Sequence, residues 1–318
     1  MVCCNCQNQA RKAGRDRLGR QRYKCRVCRR YSTEARTSPL GKMRLDPSKA
    51  AHALHLLCEG NSVRAVSRST GIHQATLLRL LVETGERCER LLEERISGLP
   101  VEHVEADELW TWVGAKARTQ KWKQLSPDFG DCYTYLALEE KSKLLLTWHC
   151  GRRSADDTHD FMGKLARATS GRFQLSTDGW HAYPRAAEYH LGARVDHCAV
   201  VKTYVSAGGE EARRYAPPRL LTSETVVVSG TPDGYRASTS HVERLNWTVR
   251  TDLRRFTRLS NGFSRKRENL RAAVALWACY YNFVKRHAKL RMPPAMKAGL
   301  IRRPWTMADL LEAAAAAA

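Results

Sequence analysis

The order of strand-like and helix-like segments over residues 101–201 restricts the possible folds of this chain more than any other feature of its sequence. Apolar residues dominate three short runs, at 101–114, 132–140 and 144–150, and three strands are predicted there, the last two as a hairpin. Helix, strand, helix and strand are predicted in turn at 155–170 (with Ser154 as N-cap), 173–178, 182–192 and 193–201. This order predicts a mixed α/β fold, with helices packed on a mixed sheet.

Three acidic residues lie in or beside these apolar segments. Asp107 falls inside the first predicted strand, Asp178 ends the fourth, and Glu243 opens a long, basic, amphipathic stretch. Holding a carboxylate among apolar residues costs free energy, which a divalent cation offsets well. The order and the positions match a ribonuclease-H-like fold, in which an aspartate of the first strand lies beside the one that ends the fourth and a later helix adds the third acid. The spacing then requires residues 203–240 to form an insertion.

Carboxylates in this arrangement suit a pair of Mg²⁺ (or Mn²⁺) ions. One carboxylate can bridge two ions about 3.5–4 Å apart. Asp107 is the predicted bridging ligand, with Asp178 and Glu243 on either side. Three carboxylates without a histidine agree with the preference of Mg²⁺ for oxygen ligands.

Other acidic residues of this region have competing interpretations. Glu105 shares strand parity with Asp107, so it could neighbour the metals, whereas Glu108 is predicted to point to the other face. Asp156 and Asp157 lie where a helix N-terminus favours negative charge, which indicates a structural role.

A zinc-binding module is predicted at the N-terminus. The pairs Cys3-x₂-Cys6 and Cys25-x₂-Cys28 are separated by 18 residues, within the range of a four-thiolate site with S–Zn distances of about 2.3 Å. Because four thiolates leave no open position for water, the zinc is interpreted as structural. Cys4 makes the register slightly ambiguous, and Cys3 is the better partner for Cys6.

Residues 48–81 have the spacing of a helix-turn-helix, with Gly71 in the turn and apolar residues on the inner face of each helix. The second helix leaves polar side chains outward that suit base edges or phosphates: His73, Gln74, Thr76 and Arg79. An ordinary helical hairpin is the alternative, but the neighbouring basic zinc module favours DNA recognition. Residues 83–98 predict a separate, charged connecting helix.

The net charge of +22 is concentrated in two stretches. Residues 1–50 contain 14 Lys/Arg and 3 Asp/Glu, and residues 244–303 contain 16 and 2. Such segregation is typical of polyanion binding, and nucleic acid is favoured over an anionic membrane surface. Arg250, Arg254 and Arg255 recur at near-helical spacing and are predicted to line a DNA channel.

The cysteine count and the hydropathy bear on the compartment. The chain has 11 cysteines, an odd number, and its N-terminus lacks the apolar core of a signal peptide. No apolar run approaches the roughly 20 residues of a membrane span. These features predict a cytoplasmic, nucleoid-associated protein without a membrane partner.

The motifs carry a family resemblance. The cysteine pairs, the helix-turn-helix and the segments VEADELWTWVGAK, LSTDGWHAYPRA and STSHVERLNWTVRTDLRRFTRLSNGFSRKREN are together similar to the DDE-type transposases of bacterial insertion sequences, and closest to the insertion-sequence-one family. The resemblance implies that Asp107, Asp178 and Glu243 are the catalytic triad and that Asn246 supports it. His241 is a departure, because an aromatic residue such as Tyr is expected before the VER motif.

We therefore expect a DNA transposase that binds element ends and cuts and joins strands. Its expected parts are a zinc module (1–45), a helix-turn-helix domain with a linker helix (46–98), a ribonuclease-H-like catalytic domain (99–260) and a basic helical extension (261–318). The expected partners are double-stranded DNA, at element ends and target, and at least a second copy of the chain. Two alternatives stay open: a DNA-binding regulator or domesticated relic with a silent catalytic domain, and a stand-alone nuclease.

Overall fold

The computed structural model describes residues 1–3, 5–16, 21–33, 39–41, 43–205, 219–257 and 260–317. Its contacts divide the chain between Pro47 and Ser48 into a small N-terminal unit and a large unit. The small unit contains a three-stranded sheet, and the large unit contains a six-stranded and a two-stranded sheet.

The small unit is built on three antiparallel strands. Strand β2 (Gln21–Cys25) lies between β1 (Ala10–Arg15) and β3 (Tyr31–Thr33). Gln7 and Arg29 each follow the second cysteine of a pair, and both have a positive φ, 56° and 57°. The chain therefore reverses in the same way after each cysteine pair.

The six-stranded sheet of the large unit is mixed. The strands after residue 98 are β4 (Leu99–Pro100), β5 (His103–Val113), β6 (Gly130–Glu139), β7 (Leu145–Gly151), β8 (Thr169–Ser170), β9 (Phe173–Thr177), β10 (Val195–Val205) and β11 (Arg219–Ser229). Their spatial order is β11-β10-β9-β5-β6-β7, and β4 pairs with β8 separately. β5, β6 and β7 are antiparallel, β9 runs parallel to β5 and to β10, and β11 is antiparallel to β10. This confirms the predicted α/β class with a mixed sheet.

Four helices accompany the sheet: α4 (Ala117–Trp122), α5 (Ala155–Ala168), α6 (Tyr183–Leu191) and α7 (Ser240–Asp252). The hydroxyl of Ser154 accepts a hydrogen bond from the backbone N–H of Asp157, so the predicted N-cap of α5 is confirmed. Helix α7 packs on β5 and β6, and its apolar side, with Val242, Leu245 and Val249, is buried.

The large unit also contains helices before and after this set. They are α1 (Pro47–Cys58), α2 (Val63–Thr70), α3 (Gln74–Arg95), α8 (Arg267–Cys279), α9 (Pro294–Lys297) and α10 (Met307–Ala316). A π-helical turn, Tyr280–Val284, extends α8. In this turn Tyr281 stacks on the ring of Trp277, with 5.2 Å between centroids.

Helix α3 differs from its prediction. The turn at Gly71 (φ +66°) occurs as expected, and His73 is the N-cap of the helix that follows, but a single helix replaces the predicted recognition helix and the separate connecting helix. Its continuity has a packing reason: α3 lies against α8, and at Gly85 a methyl group would come within 2.5 Å of the backbone of Ala272. The glycine that weakens the helical pattern in the sequence is thus the point of closest approach between two helices.

The predicted insertion at 203–240 is partly sheet. β10 continues to Val205, and β11 pairs with it over nine residue pairs from His197 to Val205. Residues 206–218 lie outside the described part of the chain. A regular edge strand was missed because its flanks are rich in Gly, Pro and charge, which is typical of a loop.

In the part of the chain that the structure describes, no helix combines the length and the apolar character needed to cross a bilayer.

Gly85→Ala tests the contact between α3 and α8. The added methyl would meet backbone rather than a movable side chain, so the helices must separate. We expect a loss of about 1–3 kcal/mol in the free energy of unfolding, measured by urea denaturation. Gly234→Ala is the matched control, since nothing lies within 4 Å of the added atom there. Equal stability of the two variants would contradict the close packing.

Candidate functional site

The structure brings Asp107 and Asp178 together at the junction of β5 and β9. In the parallel register Ala106 is opposite Thr177, so the next residue of each segment is one of the two aspartates. One oxygen each of Asp107, Asp178 and Glu108 lie within 4.8 Å of one another. Oxygen ligands at this spacing could hold a divalent cation.

Asp107 is held in place by two donors. The backbone N–H of Glu108 donates to Oδ1 (2.8 Å), and the Asn246 side-chain amide on α7 donates to Oδ2 (2.7 Å). Burial, together with the charge of Asp178, raises the pKa of Asp107 to about 7. A bound cation would lower this pKa again, because its positive charge offsets both the loss of hydration and the repulsion by Asp178.

Glu108 also belongs to the cluster, although the sequence predicts it on the other face of the strand. Alternation along β5 does place Asp107 and Glu108 on opposite faces. Asp178, however, lies just beyond the end of β9 and is accessible from both faces. The Glu108 side chain is 2% exposed, and burial followed by the charge of Asp178 raises its pKa to about 8. Its Oε1 has no hydrogen-bond partner among the described residues.

Arg153 bridges the carboxylates of Asp178 and Glu108. Its Nη2 lies 2.9 Å from Oδ2 of Asp178 and 3.2 Å from Oε2 of Glu108. The guanidinium also lies over the ring of Trp180, 4.3 Å from the centroid. The arginine thus neutralises part of the acidic cluster. No pattern in the sequence marked it, since it precedes α5 and meets both acids only through the fold.

Glu243 is not part of this cluster in the structure. Its carboxylate forms an ion pair with Lys202 of β10 and accepts a hydrogen bond from the hydroxyl of Thr239 (2.7 Å). The Glu243 side chain is 44% exposed. Of the predicted triad, the structure therefore joins the two aspartates and places the glutamate nearby on α7, with its charge already paired.

Glu105, on the same strand as Asp107, contacts the start of α7. Its carboxylate is buried and accepts hydrogen bonds from the first turn of α7: the backbone N–H groups of His241 (2.8 Å) and Val242 (2.9 Å), and Nδ1 of His241 (2.7 Å). An anion at a helix N-terminus is favourable. Glu105 thus anchors α7 to β5, and the imidazole of His241 takes part in the same contact.

The four predicted cysteine ligands of the small unit form one cluster. Cys3 Sγ lies 3.5 Å from Cys28 Sγ, and Cys6 Sγ lies 3.4 Å from Cys25 Sγ. These separations are too long for disulfides, which are about 2.05 Å, and they suit the edges of a tetrahedron with Zn–S distances of about 2.3 Å. All four could bind one Zn²⁺. Cys4 lies outside the described residues.

The electrostatics of the cluster favour a cation. Hydrogen bonds from the backbone and side chain of Asn8 lower the pKa of Cys6 to about 6. For Cys28 the backbone amide of Arg30 lowers the pKa, but burial and the three neighbouring sulfurs outweigh it and raise the pKa to about 11. The surroundings thus favour the thiolate form of Cys6 and disfavour that of Cys28, and a bound cation would stabilise both thiolates.

The residues predicted to contact DNA have varied surroundings. His73, Gln74 and Arg79 are exposed, and Thr76 is half-buried, at the N-terminal end of α3. Arg254 is exposed beyond the end of α7. The guanidinium groups of Arg250 and Arg255 instead donate within the protein, to the carbonyl of Phe256 (3.1 Å) and the hydroxyl of Ser264 (2.7 Å).

The predicted regular spacing of these arginines fails because α7 ends at Asp252. A short 3₁₀ turn, Arg254–Phe256, follows and redirects the side chains. Burial also lowers the pKa of Arg255 to about 10, which agrees with its internal position.

No protein-family model matches this chain, and a search of the curated proteins found no match either.

Zinc content tests the cysteine cluster. We expect one Zn²⁺ per chain by elemental analysis, and its loss in Cys25→Ser with Cys28→Ser, because two thiolates cannot close the tetrahedron. The small unit should then unfold, since binding and folding are coupled. Cys132→Ala, a buried cysteine of the large unit, is the control and should retain the zinc. Retention by the double variant would reject the site.

Thermal stability tests the acidic cluster. The folded chain holds protons on Asp107 that the unfolded chain releases, so its contribution lowers stability as pH rises from about 4 to about 7. Asp107→Asn should raise the metal-free Tm at neutral pH by roughly 2–6 °C. Mg²⁺ should raise the Tm of the unmodified chain but not of this variant. Glu188→Gln, at an exposed position of α6, is the matched control. An equal Mg²⁺ response in all three proteins would contradict the site.

Proposed function

We propose that this protein is a DDE-type DNA transposase, which binds the ends of an insertion sequence and catalyses metal-dependent strand cleavage and strand transfer. The observation that carries the proposal is the placement of Asp107 beside Asp178 on neighbouring parallel segments, under the helix that bears Asn246 and Glu243. Acids in this relation are suited to chemistry on a phosphodiester.

The sheet supports a ribonuclease-H-like catalytic domain. In chain order its first three long strands, β5, β6 and β7, are antiparallel neighbours, and the fourth, β9, lies parallel to the first on its other side. That layout is the one expected of the fold, in which the first and fourth strands present the two aspartates. Helix α7 follows the last strand, as expected for the element that supplies the third acid.

The residues of the site have separable roles in the proposed reaction. Asp107, Asp178 and Glu243 would hold the Mg²⁺ ions, which when bound activate the attacking water or 3′-hydroxyl and stabilise the leaving oxygen. Asn246 orients Asp107 through its amide. Glu105 fixes the start of α7, and therefore the position of Glu243 relative to β5.

Two ion pairs must change for Glu243 and Asp178 to bind metal with free carboxylates. Lys202 now pairs with Glu243, and Arg153 with Asp178. Both cations would then be free to pair with phosphate oxygens of the DNA at the same place. The positive charges of Lys202 and Arg153 would then offset the negative charge of the DNA phosphates.

The charge distribution supports DNA as the substrate. The stretch 244–303 carries 16 Lys/Arg against 2 Asp/Glu and follows Glu243 directly. The N-terminal end of α3 exposes polar groups suited to a DNA groove, and the cysteine cluster would stiffen a basic module. Acting on two DNA ends at once would require at least a dimer.

One observation favours a second candidate, a DNA-binding regulator with a silent catalytic domain. Glu243 is paired with Lys202 rather than grouped with the aspartates. In that case the chain would bind element ends without cutting them. A stand-alone nuclease has no comparable observation in its favour.

The test is incubation with Mg²⁺ and DNA that carries the inverted repeats flanking the gene. Joined products are expected; cleavage without joining would indicate a nuclease, and binding alone a regulator. Asp107→Ala, Asp178→Ala and Glu243→Ala should each lower joining by roughly a thousandfold or more, with binding retained. Glu188→Ala is the control for the loss of a carboxylate. If the Glu243→Ala variant joins strands at the normal rate, the triad is wrong.

A further inference from the structure

A cavity of about 460 Å³ lies between α7 and the segment that follows the π-helical turn, separate from the acidic cluster. We call it the α7 pocket. Its apolar lining includes Leu138, Leu245, Tyr281 and Ala288, and Trp247 contributes an indole ring. The volume falls within the range of about 300–1,000 Å³ that is usual for small-molecule sites.

The lining of the α7 pocket is strongly basic. It contains five cationic side chains and one acidic one, Asp252, and the five are Lys143, Arg244, Lys285, Arg286 and Lys289. Asp252 is already engaged, since it accepts from Lys285 Nζ (2.5 Å) and from the Trp277 indole (3.0 Å). The other four cations form no ion pair within the described residues.

One of the cations in the α7 pocket, Lys143, is buried. The residue is only 8% exposed, so its ammonium lacks much of the hydration that usually stabilises it. Burial lowers the pKa of Lys143, and burial together with Lys143, Lys289 and Arg244 lowers that of His287. An anion in the pocket would relieve both effects.

The aromatic component comes from Trp247. This residue is 55% exposed, and the guanidinium of Arg244 lies over its ring, 4.5 Å from the centroid. A large indole left in solvent beside cations is a suitable platform for a nucleobase, because every base has a π face and every nucleotide an anionic phosphate. The indole ring therefore favours a nucleotide over a simple anion, which has no aromatic group to stack on it.

We propose that the α7 pocket binds one unstacked nucleotide of a DNA strand, with its base against Trp247 and Arg244 and its phosphate among Lys143, Arg286 and Lys289. The choice of DNA as the strand rests on the proposed function. Trp247 lies four residues after Glu243, so both are on one face of α7, about 6 Å apart along its axis. A strand held by the pocket would therefore pass beside Glu243.

The test compares two fluorescent oligonucleotides of equal length by anisotropy, single-stranded oligothymidylate and an abasic strand with the same phosphates. The full-length chain should bind the base-bearing strand about tenfold more tightly. Trp247→Ala should abolish this preference without changing affinity for the abasic strand, and Trp247→Phe should retain most of it. Trp122→Ala is the matched control, because Trp122 is 78% exposed with Lys123 over its ring (5.4 Å).

Each result has a defined meaning. The proposal is overturned if the unmodified chain binds both strands equally, or if the Trp247→Ala variant still prefers the base-bearing strand. The same comparison with oligouridylate identifies the source of the nucleotide, and tighter binding of the RNA strand would overturn the assignment to DNA. Lys289→Gln should weaken both strands equally and lower the salt dependence of binding, whereas an effect confined to one strand would contradict its assignment to phosphate.

The outcome is also independent of the catalytic assay. A chain that joins DNA ends but binds the two strands equally would lose the pocket and keep the proposed function. A chain with the Trp247-dependent preference but no cleavage or joining would keep the pocket and lose the proposed function.

Discussion

The contact between the Glu105 carboxylate and the first turn of α7 is the interaction on which the rest of the site depends. A buried acid on β5 accepts hydrogen bonds from two backbone N–H groups and one imidazole of the helix. Hydrogen bonds to a charged group in a buried place are worth more than exposed ones, and breaking them would leave the charge unsatisfied. The helix and the strand are therefore fixed in one register.

Other features follow from that register. Two residues along β5 from Glu105, Asp107 meets Asn246, a residue of the same helix. Glu243 and Trp247 are exposed positions of the same helix, and Trp247 lines the α7 pocket beside the basic segment. One anchored helix thus borders both the acidic cluster and the basic cavity.

Much of this arrangement could be predicted from the sequence, for a definable reason. Strand and helix periodicity gave the element order, and the parallel pairing of β5 with β9 necessarily brings Asp107 and Asp178 together. The spacing of the four cysteines likewise determines their cluster, because each pair forms a local turn. These are features that short segments specify, or that follow from the order of the strands.

The errors concern partners that only the tertiary fold supplies. Glu108 was excluded on strand parity, which ignores an acid at a strand end that both faces can approach. Lys202, the partner of Glu243, lies on the strand whose extension to Val205 was not foreseen. Arg255 was placed on a helical face, but α7 ends at Asp252 and its guanidinium turns inward. Periodicity describes the faces of a single helix or strand, and it does not predict where that element ends or which residues contact its end.

The continuity of α3 has a consequence for the proposed binding of DNA. This helix has 22 residues and so extends about 33 Å along its axis, and Gly85, its point of closest approach to α8, lies near its middle. Because the helix is unbroken between its exposed start and Gly85, a DNA groove bound at its start would, in the proposed function, fix the orientation of α8. In the proposed reaction the helix would act as a ruler, and the distance from recognised base pairs to the cut phosphodiester would be a constant of the fold rather than of the DNA sequence.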